Sequence, residues 1–265
     1  MKQLFSIIGI DGSGKDYWLQ RIMAQVDTKK YWPLPCTAYH HSAHCAQPAL
    51  SMALQELGIQ ADQASDAALK GISLFLKMLL FSTELRHLQE QHAAAVVLST
   101  RHPVIDTPVY ARLFIQHLRM RPEEKQNIFA RAKLYLPSDQ WEALSQLISA
   151  NAQRWDQQPL PEFIKQTAPL GWQAQFDVFT RAFDVPIPQK ILFLNPPVAT
   201  IIERLQQREA AAREMHEQAT FIRQLKTYLE QALAALMACQ SNLKVYTTDG
   251  AADTTEAILP SFLSS

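Results

Sequence analysis

The sequence predicts an α/β fold: a parallel sheet of about five strands with helices on both faces and a helical insertion. Three observations predict it. Short aliphatic runs recur along the 265 residues, stretches with helical spacing separate them, and one long segment of amphipathic helices interrupts the alternation. Strands joined through helices must run parallel, and a parallel sheet needs both faces covered.

In chain order, Leu4–Ile10 reads as the first strand, because its apolar residues are continuous and stop at a glycine cluster. Tyr31–Ala38 is a weaker strand candidate, since two prolines each remove a ladder donor and make a central place doubtful. Ile72–Gln91 is helical by spacing. Ala95–Ser99, Lys190–Asn195 and Leu243–Thr247 complete the set of buried parallel strands, and Phe221–Cys239 is a further helix. Residues 120–188 break the alternation and carry Trp141, Trp155 and Trp172 together with amphipathic stretches such as Asp139–Ala150. This segment reads as a helical insertion between the third and fourth strands of a single domain spanning 1–265. Repeats, low-complexity tracts and long linkers are absent from the sequence.

Composition narrows the class. Hydrophobic content of 48% and charged content of 19% suit a globular chain with a sizeable core. Twenty-five basic and 25 acidic residues cancel, so no bulk field draws the chain to nucleic acid or to a membrane surface. The odd set Cys36, Cys45 and Cys239 lacks the paired spacing of a disulfide framework. His40 and His44 have metal-ligand spacing, but Cys36 and Cys45 stand too far apart for a closed zinc site, so an ordinary reduced loop is the expectation. The apolar run of MKQLFSIIGI is too short for a signal peptide, and no stretch approaches the roughly 20 apolar residues of a membrane span. A cytoplasmic protein is expected.

Chemistry concentrates in Gly9-Ile10-Asp11-Gly12-Ser13-Gly14-Lys15, placed between the first strand and a helix. Glycines at 9, 12 and 14 let successive backbone N–H groups turn inward, and those donors face the positive end of the following helix. Lys15 adds a mobile charge for phosphate oxygens. The spacing is that of a phosphate-binding P-loop, G-x-x-x-x-G-K-[ST], except that Asp16 stands where a hydroxyl normally binds magnesium. Gly9, Asp11, Gly12, Ser13, Gly14, Lys15 and Asp16 are therefore the candidate residues for binding phosphate, with Asp16 as the candidate Mg2+ ligand. A carboxylate is itself a good magnesium ligand but brings negative charge toward the phosphates.

The stretch I-x-G-I-D-G-S-G-K resembles the opening motif of the thymidylate kinases, within the P-loop nucleoside monophosphate kinases. Leu79-Leu80-Phe81-Ser82-Thr83-Glu84 resembles that family's L-L-F-x-A-[DN], and Val96–His102 resembles its strand ending in D-R-[YFH]. Asp106–Tyr110 resembles the S-x-x-A-Y segment that follows. Arg204, Arg208 and Arg213 resemble its arginine-bearing lid, here about 204–220. Phe221–Leu229 and Val245–Gly250 match its last long helix, last strand and adenine-side loop. The resemblance implies ATP and Mg2+ as cofactors and phosphoryl transfer to a nucleoside monophosphate or related acceptor. It gives Arg101 the acceptor phosphate, Arg208 or Arg213 the transferring group, Asp11 the acceptor sugar and Tyr110 the base, and it implies a homodimer.

Four departures accompany it. Asp16 replaces the metal-binding hydroxyl, and Thr100 replaces the aspartate of D-R. Leu85 stands where the family has a pyrimidine-reading arginine, with Arg86 about 100° round the helix. The family's R-E-P-G-G-type acceptor loop has no counterpart around Pro33–Pro48. Two readings follow: an ATP-dependent nucleotide kinase with a changed acceptor, or a nucleotide-binding scaffold with little turnover whose Trp-rich insertion is the interaction surface.

Overall fold

The computed structural model describes residues 3–91, 96–114, 130, 132–207 and 219–264. Its centre is a five-stranded, fully parallel sheet of β1 (Gln3–Ile8), β2 (Tyr31–Pro35), β3 (Val96–Thr100), β4 (Lys190–Leu194) and β5 (Lys244–Thr248). The spatial order is β2-β3-β1-β4-β5. β1 is therefore central, and the chain builds outward first to one side of it and then to the other. Such a reversal leaves a crevice at the carboxyl ends of the strands, where ligands of open α/β sheets bind.

Alternation along the strands sorts the core into two faces. Leu4, Ile8, Val97, Ile191 and Phe193 face one cluster. Phe5, Ile7, Leu98, Leu192 and Leu194 face the other, where Trp18, Leu19 and Ile22 of α1 (Lys15–Met23) and Phe262 of α11 (Ala252–Leu263) cover them. The first face is covered by α2 (Pro48–Gln63), α3 (Ala67–Leu79), α4 (Phe81–Gln91), α5 (Pro103–Phe114), α8 (Trp172–Phe183) and α10 (Ala219–Cys239). Lys190 ties α11 down: its Nζ donates to the carbonyls of Ser261 at 3.2 Å and Phe262 at 3.1 Å, and also to that of Ser264. A cation at carbonyls left unpaired by a helix end is stabilising.

The weaker strand candidate takes the place its prolines allow: β2 is an edge strand, over Tyr31–Pro35, and needs partners on one side only. Two sequence expectations need correction. Leu243–Thr247 is not a buried strand: β5 is the opposite edge, with Lys244 and Thr247 exposed. The helix expected over Ile72–Gln91 is two helices. Leu79, Leu80 and Phe81 are all at most 1% exposed, and a straight helix rotates one of three successive residues outward; the Leu80 N–H bonds Lys77 at i−3 and tightens the turn.

The described part of the 120–188 segment is helical and shares the sheet's core. It comprises α6 (Ser138–Asn151), a short turn at Ala152–Trp155, α7 (Leu160–Thr167) and α8. The ring of Phe75 in α3 lies 5.0–6.5 Å from those of Trp155, Phe163, Phe179 and Phe183. Trp155 is buried, and Trp172 lies 4.0 Å beneath the Arg112 guanidinium. These tryptophans spend their area on packing within the chain. α9 (Val198–Gln206) follows β4, and Arg208 and Arg213 lie outside the described residues.

Candidate active site

Residues 9–14 turn from β1 into α1 at the carboxyl edge of the sheet. A Cβ on Gly9 would come within 2.7 Å of the Leu194 carbonyl of the neighbouring strand and collide with Ser13, so only glycine fits this close approach. Gly14 is the residue before α1, at φ +96°, and no side chain caps the helix. The amides of the first turn of α1 therefore lack the side-chain acceptor that usually satisfies them. Ser13 Oγ is buried and without a hydrogen-bond partner. Unpartnered donors gathered at a helix N-terminus fit an anion.

Lys15 stands at the edge of this turn, 6% exposed, donating from Nζ to the Ile10 carbonyl at 2.9 Å. Its Nζ is 3.6 Å from Asp11 Oδ1. Burial pushes its pKa down, as does the charge of Arg101, while Asp11, Asp16 and Asp106 oppose the shift. A desolvated ammonium of this kind gains from a phosphate beside it. Asp16 is exposed in the first turn of α1. Arg204, from the last turn of α9, donates from Nη1 to the carbonyls of Gly12 at 3.4 Å and Ser13 at 3.3 Å. It holds the outer side of the loop, and Ile201 and Leu205 pack on Gly12.

Across the crevice, Arg101 follows β3. Its backbone N–H donates to the Ile7 carbonyl at 3.0 Å, and its φ of +63° is in the left-handed region, a strained conformation for an arginine. The side chain forms a buried network. Nη2 pairs with Asp11, while Nη1 donates to Asp106 Oδ1 at 3.2 Å and to Tyr110 Oη at 3.0 Å. Tyr110 Oη in turn donates to Asp11 Oδ2 at 2.8 Å. Burial opposes the charge on Arg101, but Asp11, Tyr110 and Asp106 more than offset it and hold its pKa well above the usual value. Burial raises the pKa of Asp106, against the pull of Arg101.

The structure thus joins Asp11, Lys15, Arg101 and Tyr110 in one cluster and leaves Asp16 on the solvent side of the loop. Thr100 is fully buried and donates from Oγ1 to the Cys36 carbonyl at 3.0 Å. Arg86 is exposed and bonds back to the Ser82 carbonyl, while Leu85 is buried. Glu84, 1% exposed, accepts from the N–H groups of Ala46 and Gln47, just before α2, at 2.8 and 3.1 Å, and so has a structural role. The Cys36–Cys45 loop gathers no metal-binding group among the described residues.

Sequence reasoning missed two residues of this site. Asp106 shares Arg101 with Asp11; the signal was an acid in the first turn of α5 five residues after the arginine. His102 is fully buried, and its Nε2 donates to the Pro186 carbonyl at 3.0 Å while Nδ1 accepts from the Val104 N–H at 3.3 Å. These partners fix the neutral ring, and burial pushes its pKa down to about 3.

No family model matches the chain, and no curated protein does. Among solved structures, the chain is similar to a thymidylate kinase from Candida albicans, with 14% identity, a TM-score of 0.49, and coverage of 98% of this chain and 92% of that one. It is also similar to a deoxyadenosine kinase from M. mycoides with bound dATP, with 10% identity, a TM-score of 0.48, and coverage of 99% and 100%. Identities this low leave the activity to be argued from this chain's own residues. Among the described residues, no helix is long and apolar enough to cross a membrane.

Proposed function

We propose that the chain is an ATP-dependent phosphotransferase of thymidylate-kinase type, moving a phosphoryl group to a nucleoside monophosphate or related small acceptor. The observation that carries this reading is the β1–α1 loop: an uncapped helix start, a partnerless buried Ser13 hydroxyl and a buried Lys15 converge at the carboxyl edge of the sheet. The amides of 12–15 and Lys15 hold the donor phosphates, and Arg204 keeps the loop carbonyls turned outward. Phosphoryl transfer asks mainly for positioning and charge, which is what these groups supply.

The residues also fit a magnesium ion. Asp16 is an exposed carboxylate in the first turn of α1, a hard oxygen donor of the kind Mg2+ takes alongside phosphate oxygens. Bound there, the ion would neutralise charge on the donor phosphates. Arg208 and Arg213 belong to the same proposal as lid residues closing over the transferring group.

A second reading, a nucleotide-binding scaffold with little turnover, rests on Thr100: the carboxylate expected at the end of β3 is replaced by a hydroxyl already bonded to Cys36. Calorimetry with MgATP, paired with an assay of ADP formation over a panel of acceptors, separates the two. Binding with acceptor-dependent ADP formation supports the kinase, and binding alone supports the scaffold. Lack of MgATP binding sinks both.

A further inference from the structure

Resting on the kinase reading above, we infer that Asp11 is a counter-ion shared by the two sides of the crevice, through which Arg101 acts as a positioning residue for Lys15 and the donor phosphates. The geometry is that of one oxygen claimed twice. Asp11 Oδ1 pairs with Arg101 Nη2 and stands 3.6 Å from Lys15 Nζ, while Oδ2 accepts from Tyr110 Oη at 2.8 Å. None of the three charged side chains is more than 14% exposed, so water and salt screen them little. What Asp11 gives to one cation it withholds from the other.

The backbone around Asp11 is held on both flanks. The carbonyl before it, that of Ile10, accepts from the Ser13 N–H at 3.1 Å and from Lys15 Nζ at 2.9 Å. The carbonyl after it, that of Gly12, accepts from Arg204 Nη1 at 3.4 Å. Arg101 is anchored as well. Its N–H bonds the Ile7 carbonyl, and its Nη1 donates to Asp106 Oδ1 and Tyr110 Oη. Asp106 is fixed in turn by the His102 N–H at 2.8 Å. Among the described residues, Asp11 is the carboxylate with an ion pair to both cations.

A donor phosphate has to take the Lys15 ammonium from Asp11. With Arg101 in place, Asp11 keeps a cation when Lys15 leaves, and the exchange leaves no buried carboxylate bare. Without the Arg101 charge, Lys15 is the cation left to Asp11, and the phosphate must pull against an undivided pair. Arg101 thus sets how readily Lys15 is released, although it stands across the crevice from the loop. A residue that the resemblance gives to the acceptor phosphate has a second task toward the donor.

The test is a double-mutant cycle read by calorimetry with MgATP. Arg101→Gln should weaken binding about tenfold. In an Asp11→Asn background, which keeps the shape and an acceptor oxygen but not the charge, the same change should cost about twofold or less. Alone, Asp11→Asn should tighten MgATP about tenfold; Asp106→Asn, which removes an equal charge from the other arm of the Arg101 fork, should do so by less than about threefold. The melting temperature of each variant reports folding, and if Arg101→Gln does not fold, the comparison of the two Asn variants decides. A loss of the same size in both backgrounds overturns the inference, as does an equal response to the two Asn variants, which is what a simple field would give. In either case the donor-loop reading stands. If MgATP does not bind the unaltered chain, both fall.

Discussion

The two walls of the crevice differ in what they leave unsatisfied. On the donor wall, α1 begins without a side-chain cap and Ser13 Oγ has no partner. On the acceptor wall, Arg101 is already matched by Asp11 and Asp106, and the carboxylates are bonded in turn by Tyr110 and the His102 N–H. On the donor side the polar group left single is a hydroxyl; on the acceptor side the charged groups are matched to one another.

The largest effect should come from the donor wall. Lys15→Ala should weaken MgATP binding or any ATP-dependent turnover by about 10²-fold or more, measured by calorimetry and ADP formation, with the melting temperature as a check on folding. An unchanged affinity would erase the contrast. The next effect tests how rigid the acceptor wall is. His102 is held neutral with its pKa near 3 against 6.5 in the unfolded chain, so between those values only the unfolded state takes up the proton. Stability is then constant above about pH 6.5 and falls as pH drops toward 3, by ~2 kcal/mol at pH 5. Urea unfolding at pH 7.5 and pH 5.0 measures it, and His102→Gln should remove most of that difference.

A smaller loss is expected from Gly9→Ala. The added carbon meets Ser13 and the Leu194 carbonyl, and overpacking of this kind costs about 1–3 kcal/mol, of which only the part relieved by shifting the loop should also appear in MgATP affinity. Smallest of all is Arg112→Ala, whose partners lie in the segment after β3. It removes the cation over Trp172 and the bond to the Leu170 carbonyl, for about 0.5–1 kcal/mol of stability with MgATP affinity unmoved. A change in affinity there would mean that the helical segment after β3 is coupled to the loop.

Much of the donor wall was legible in the sequence because it is local. Gly9, Gly12, Gly14 and Lys15 lie within seven residues, and their backbone consequences follow from spacing. The strands were legible where both faces are buried, as in β1 and β4; β5 misled because aliphatic residues also suit one face of an edge. The acceptor wall was legible as residues but not as a network. Arg101 meets Asp11 from 90 residues away and Tyr110 meets it from 99, and no local pattern says that a cation will find its counter-ion at home.

The order of the strands also sets a timetable for biosynthesis. β1 is translated first yet lies in the middle, paired on one side with β3 and on the other with β4, so Phe5 waits for Lys190 to be polymerised. Until then the β1–α1 turn is not closed, since the Leu194 carbonyl that hems in Gly9 has not been made. The loop would accordingly take its final shape late and abruptly, after most of the chain has emerged.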